Sequence, residues 1–236
     1  VLIGDFGGGT SDFSLVRLGE GGAREVLATA GLPYAGDAFD ARIVRRVVAP
    51  ALGSDSLARS MGKTLPALPA WVYSNLERWH TLSFLRTRST LEMLATAEKR
   101  ALEPEKIAAL RALVEEDLGY QLHRAVSRLK TALSGNDRAA FRFGGSEAGS
   151  LELHAEVTRE EFEGWIAPEL RGIEDAIDGL VVQAGVGVDR VFLTGGTSFV
   201  PAVRRIFEQR FPGQVTAGDE FTSVAQGLAL AAAGDA

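Results

Sequence analysis

The chain has 236 residues, with 25 lysines and arginines against 31 aspartates and glutamates, so its formal net charge is −6; a surface of that sign argues against nucleic acid as a partner. Hydrophobic residues make up 46% and charged residues 24%, the balance of a globular chain that buries roughly 70–75% of its unfolded surface in one large domain or two lobes. Cysteine is absent, which excludes disulfides, thiolate metal sites and a cysteine nucleophile; the longest apolar run, 227–233, falls far short of the ~20 residues of a membrane span, and a cytoplasmic protein with no membrane association is expected. Val1 stands where a start Met would, already inside an apolar run, and the expectation is that further chain lies upstream.

Residues 1–6 read as a buried strand, Gly7-Gly8-Gly9 as a turn, and Phe13, Leu15 and Leu18 as the apolar positions of a second strand. A third short strand is predicted over 25–30, and three successive strands point to an antiparallel meander. From 39 to 48 the residues Phe39, Ile43, Val44, Val47 and Val48 recur at helical spacing. The stretch 49–69 holds Pro50, Pro66 and Pro69 with Gly53 and Gly62, which breaks regular structure and marks a change of subdomain. Helices are predicted over 76–94 and 104–133, the second with Pro104 in its first turn and Ser134-Gly135-Asn136-Asp137 at its end. A hairpin follows over 139–143 and 150–157. Thr158 then caps a helix, with Glu161 as its capping-box partner. A long helix runs to 183, a strand over 190–194 ends in Gly195-Gly196-Thr197, and helices are predicted over 201–211 and 222–233.

Asp5-Phe6-Gly7-Gly8-Gly9-Thr10-Ser11-Asp12 carries the most chemistry. Consecutive glycines let backbone N–H groups converge on an anion, and Thr10 adds a hydroxyl. Asp5, at the mouth of the turn, suits a metal's water shell or an attacking water, since phosphoryl transfer rests on positioning and charge neutralisation. Taken alone the same residues also make a plain hairpin turn. Gly62-Lys63-Thr64 lacks the earlier glycine of a Walker A motif, because position 57 is Leu. The strand after Gly9 likewise excludes a dinucleotide fingerprint. Gly195-Gly196-Thr197 would let a ligand approach bare backbone, and alone is also a common turn; Ser127, Lys130, Thr131 and Ser134 share one helix face, which by itself reads first as a solvated stripe. His80, His123 and His154 are isolated and make no metal set.

In this order the motifs resemble the seventy-kilodalton heat-shock protein (DnaK-like) family of the actin and sugar-kinase superfamily. Residues 5–12 look like the family's second phosphate loop, Gly36-Asp37-Ala38-Phe39-Asp40 like the segment after it, 191–201 like the adenosine motif, and Val224-Ala225-Gln226-Gly227 like the closing helix. The likeness covers the second half of the ATPase domain and is weakest over 51–118. It implies an α/β, actin-like (ribonuclease H-like) lobe: a core subdomain over 1–48 and 158–236 with an inserted, mainly helical α+β subdomain over 49–157. It implies ATP or ADP with Mg2+, and potassium as a second candidate cation. Asp5 becomes the catalytic carboxylate and, with Asp12, the metal-facing pair. Gly8, Gly9 and Thr10 become the phosphate donors. Gly36, Lys130, Ser134, Gly195, Gly196 and Thr197 line the nucleoside pocket.

Ser127, Thr131 and Phe199 stand where the family pattern has Glu, Arg and Arg, so Phe199 is the candidate to stack on adenine. That pattern looks like the YegD-like branch. The partners implied are nucleotide, the N-terminal half of the same ATPase domain, and protein clients or exchange factors. Two other readings stay open: a carbohydrate or small-molecule kinase of the superfamily, and a nucleotide-free interaction module on the same fold. In every case hydrolysis by these residues alone is not expected, because the transition state must be clamped from both sides.

Overall fold

The computed structural model describes residues 1–19, 23–60, 63–145, 149 and 151–216. It is a mixed α/β chain of two compact units, one of Val1–Ala38 with Ile166–Ala236 and one of Phe39–Trp165. The predicted closing helix over 222–233 lies outside the described residues. Among those described, no helix is long and apolar enough to cross a membrane.

The first unit is built on a five-stranded mixed sheet. Strands β1 (Leu2–Phe6), β2 (Ser11–Leu18) and β3 (Arg24–Leu32) form the expected antiparallel meander. Along β1 exposure alternates residue by residue, as the period of two requires: Leu2, Gly4 and Phe6 turn inward, Ile3 and Asp5 outward. Strand β8 (Val191–Thr194) lies parallel to β1 on its other side. The two-residue β9 (Val215–Thr216), too short for periodicity to reveal, lies parallel to β8 and completes the order β3-β2-β1-β8-β9. Helix α8 (Ala167–Ala184) buries Ile173, Ile177 and Leu180. Helix α9 (Pro201–Arg210) links β8 to β9 and buries Val203, Ile206 and Phe207. Phe6, Phe13 and Phe207 meet at the centre; Phe6 packs edge-on to both partners at 5.6 and 5.9 Å between ring centroids, a geometry favoured by the ring quadrupoles.

The second unit is mainly helical. Helix α1 (Gly36–Ile43) enters it and runs through a π-helical turn (Val44–Val48) into the short α2 (Ala49–Ala51). Pro50 has no N–H to return to the preceding turn, and the ladder ahead of it widens, with Ala49 N–H reaching the Val44 carbonyl. Over 49–69, where only breakage is predicted, a hairpin of β4 (Leu57–Ser60) and β5 (Lys63–Pro66) forms, followed by α3 (Ala70–Ser74).

The predicted helix over 76–94 is instead a 3₁₀ stretch (Trp79–Leu85), a break, and α4 (Arg88–Arg100). Hydroxyls compete for the backbone there: Thr81 donates to the carbonyls of Asn75 and Arg78, and Ser83 to that of His80. Thr87 caps α4 by accepting the Thr90 N–H at 3.2 Å. The predicted helix over 104–133 is two helices, α5 (Pro104–Glu115) and α6 (Gly119–Gly135), divided where Asp117 takes a φ of 56°. Hairpin β6 (Arg138–Phe143) and β7 (Leu153–Thr158) pairs as expected, and α7 (Arg159–Trp165) closes the unit.

Candidate functional site

The strand ends of the first unit bring most of the predicted residues to one edge. Asp5 of β1 stands directly opposite Asp12 of β2, and on its other side opposite Thr194 of β8. Both carboxylates are exposed, so this sheet face presents two like charges side by side, which cross-strand pairing disfavours. Thr10 donates its hydroxyl to Asp12 Oδ2 at 3.0 Å and fixes that carboxylate beside the glycine turn.

The turn itself closes through Gly7 N–H to Thr10 O at 3.0 Å. The carbonyls of Gly7 and Gly8 are engaged inward. The N-terminus of α1 reaches them, with Gly36 N–H on Gly7 O at 3.4 Å and Asp37 N–H on Gly8 O at 2.8 Å, and Thr197 Oγ1 donates to Gly7 O at 3.2 Å. The amides of Gly8 and Gly9, by contrast, donate to no protein acceptor among the described residues. A Cβ on Gly9 would meet nothing within 4 Å, and one on Gly8 would lie 3.2 Å from an Asp37 carboxylate oxygen.

The turn after β8 lies against the turn after β1. Gly195 has a φ of 84°, and a Cβ there would fall 2.7 Å from the Phe6 carbonyl carbon, so this position combines a left-handed backbone with a contact only glycine permits. Ser198 donates its hydroxyl to Gly195 O at 2.6 Å and its N–H to the same oxygen at 3.1 Å, which folds 196–199 into a 3₁₀ turn. Gly196 is exposed, Thr197 is 4% exposed and Phe199 is 41% exposed. Thr197 thus faces the glycine turn, whereas Phe199 presents its ring outward.

Two residues at this edge escaped sequence reasoning. Ser11 is fully buried and donates to the Tyr34 carbonyl at 2.8 Å, holding the segment that leads into α1. Its signal was a hydroxyl at an inward position of a strand that otherwise alternates with Phe13 and Leu15. Asp37 contributes its backbone N–H, which no side-chain pattern marks. Burial, with Glu169 and Asp175 adding to it, holds the nearby Tyr34 phenol above its ordinary pKa and keeps it neutral.

Lys130 and Ser134 belong to the second unit. There the Lys130 ammonium lies 2.9 Å from Asp40 Oδ1, with both side chains largely buried, and Ser134 donates to the Lys130 carbonyl. Ser127 and Thr131 line an open groove of about 430 Å³ with Arg124 and Arg128. Among the described residues no cluster of three or more acidic or histidine side chains is placed to hold a metal.

Residues 110–233 match the model of the Hsp70 protein family. The chain belongs to the Hsp70 family. It is 26% identical over 238 residues to the chaperone protein DnaK of Thermus thermophilus, a match covering 98% of this chain and 31% of that protein. DnaK of Thermotoga maritima is 27% identical over 241 residues, covering 99% and 32%, and that of Guillardia theta 24% over 231, covering 95% and 29%. The chain therefore spans under a third of the length of these Hsp70 relatives. The actin-like α/β architecture of the family agrees with the mixed sheet of the first unit.

Proposed function

We propose that the chain is part of a DnaK-type ATPase domain and that its first unit binds the phosphates of ATP or ADP together with Mg2+. One observation carries this reading: the glycine turn has the Gly7 and Gly8 carbonyls tied inward and its Gly8 and Gly9 amides left without protein acceptors among the described residues, beside a pair of opposed carboxylates. An anion satisfies the amides, and a cation satisfies Asp5 and Asp12. Oxygen donors of this kind suit Mg2+, which is commonly held by one or two carboxylates and completes its shell with phosphate oxygens and water. Two carboxylates without a third acidic ligand among the described residues match such shared ligation.

When bound, the cation neutralises phosphate charge and polarises the oxygens it touches. The chain's own residues orient and hold. Gly8 and Gly9 donate to phosphate oxygens, Thr10 keeps Asp12 fixed, and Asp5 accepts a hydrogen bond from the attacking water. Gly195 and Gly196 give the nucleoside close access to backbone, and Phe199 offers a ring for the base. In the intact protein, ATP hydrolysis would drive lobe movement of the chaperone type.

Calorimetric titration of the full chain with ADP tests the reading. With Mg2+ present, heat of binding is expected; chelation of the metal should abolish it, and Asp5→Asn and Gly9→Ala should each weaken it at least tenfold, about 1.4 kcal/mol. No heat at millimolar ADP, or binding indifferent to both chelation and Asp5→Asn, would overturn it.

A further inference from the structure

We propose that Thr197 is a positioning residue: its buried hydroxyl latches the turn after β8 onto the turn after β1 and so aims the Gly8 amide outward for an anion. The inference rests on the nucleotide reading for its ligand, but the latch itself is a feature of the unliganded chain.

The geometry follows from the peptide plane. No cis bond occurs among the described residues, and in a trans peptide the C=O of one residue and the N–H of the next point in opposite directions. Pinning Gly7 O therefore fixes where Gly8 N–H points, and pinning Gly8 O does the same for Gly9 N–H. The second plane is held by Asp37 N–H at 2.8 Å. The first is held by a long bond from Gly36 N–H, 3.4 Å, and by Thr197 Oγ1 at 3.2 Å. Three glycines in succession supply no steric preference of their own, so the orientation of the Gly8 amide depends on these two donors.

Thr197 is built for this task. It is 4% exposed and 190 positions away from Gly7 in the chain. A hydroxyl has a single donor hydrogen, which here is spent on Gly7 O rather than on a ligand. Ser198 cannot substitute, because its own hydroxyl is committed to Gly195 O. Gly195, packed on the Phe6 carbonyl, sets the height at which Thr197 approaches. One side chain thus connects the two turns that the nucleotide reading assigns to opposite ends of the ligand.

The experiment compares the wild-type full chain with Thr197→Val, which removes the donor at nearly constant volume, Thr197→Ala, which removes it without adding a methyl, and Thr197→Ser, which keeps it. Two quantities are read in each. The first is the backbone ¹⁵N order parameter of Gly8 without ligand, expected to fall from about 0.85 to below about 0.6 in the Val and Ala variants and to stay high in Ser. The second is Mg2+-dependent affinity for ADP relative to adenosine. The Val and Ala variants are expected to lose at least tenfold more affinity for ADP than for adenosine, and Ser to restore the ratio.

An unchanged Gly8 order parameter would overturn the latch whatever the nucleotide does. Equal losses for ADP and adenosine would overturn it too, since they would make Thr197 a lining residue of the nucleoside pocket. If the wild type binds neither ligand, the nucleotide reading fails by itself, and the Gly8 order parameter still decides the latch.

Discussion

Asp5 and Asp12 hold like charges opposite each other on an exposed sheet face, an arrangement with a folding cost in the absence of a cation. Such cross-strand pairs shift stability by roughly 0.2–1 kcal/mol. Asp12→Asn should therefore raise the unfolding free energy of the ligand-free chain by about that much in urea titrations at low salt. Molar salt should shrink the gain, because exposed charges are screened within a few ångströms there. The Thr10 hydroxyl, which now donates to Asp12, can still donate to the amide oxygen of the variant, so the turn is retained. An Asp12→Asn chain no more stable than wild type at low salt would show that the two carboxylates do not repel and would remove this support for a cation site. That Asp5, Asp12 and Thr10 gather around the Gly7-Gly8-Gly9 turn was legible in the sequence, because side-chain chemistry and glycine spacing mark the turn. The amides of Gly36 and Asp37 were not, since a backbone donor's partner is fixed only when distant segments meet.

At the scale of elements, the capping box shows local chemistry deciding structure. Thr158 donates its N–H and its hydroxyl to Glu161 Oε2, each at 2.8 Å, and Glu161 N–H returns to Thr158 Oγ1 at 3.2 Å. The Thr158 N–H first, and then its hydroxyl, hold the Glu161 carboxyl below its ordinary pKa. Because the folded value is the lower one, this contribution is present above the unfolded glutamate value of about 4.3 and is lost as pH falls through the folded value. Thr158→Ala should lower stability by about 1 kcal/mol at pH 7. The stability difference between wild type and Glu161→Gln should shrink as pH is taken from about 6 to about 3, the range that brackets that titration; a difference constant across it would mean the carboxylate is not the operative partner. The box was readable because it spans four residues. The breaks at Arg86-Thr87 and at Asp117 were not, since apolar spacing runs through both and the periodicity of a continuous helix hides a side-chain cap or a single left-handed residue. The π-turn ahead of Pro50 escaped for the same reason.

At the scale of the whole molecule, chain connectivity separates two kinds of unit. The first is assembled from distant pieces, β1, β2 and β3 from one end of its sequence and β8 and β9 from the other, so neither piece alone contains the sheet. Its glycine turns were read from sequence as separate motifs, but their contact, Gly195 on Phe6 and Thr197 on Gly7 across 190 positions, needed the parallel pairing of β1 with β8. The second unit is one continuous segment, Phe39–Trp165. Phe39 and Phe162, near its two ends, pack edge-to-face at 6.3 Å with both side chains buried, so the chain enters and leaves at one place, as in segments that fold as independent domains. Leu52, Val72, Leu76, Leu94, Leu110 and Phe141 are buried in the same unit. Expressed by itself, 39–165 should keep its helical circular dichroism and melt cooperatively. Phe39→Ala within it should cost about 3–5 kcal/mol, the range for removing a buried aromatic ring. A segment that is helical but melts without a transition would show that this core is completed only in the longer chain, whereas a cooperative melt lost on Phe39→Ala would assign the closure of the unit to that one ring pair.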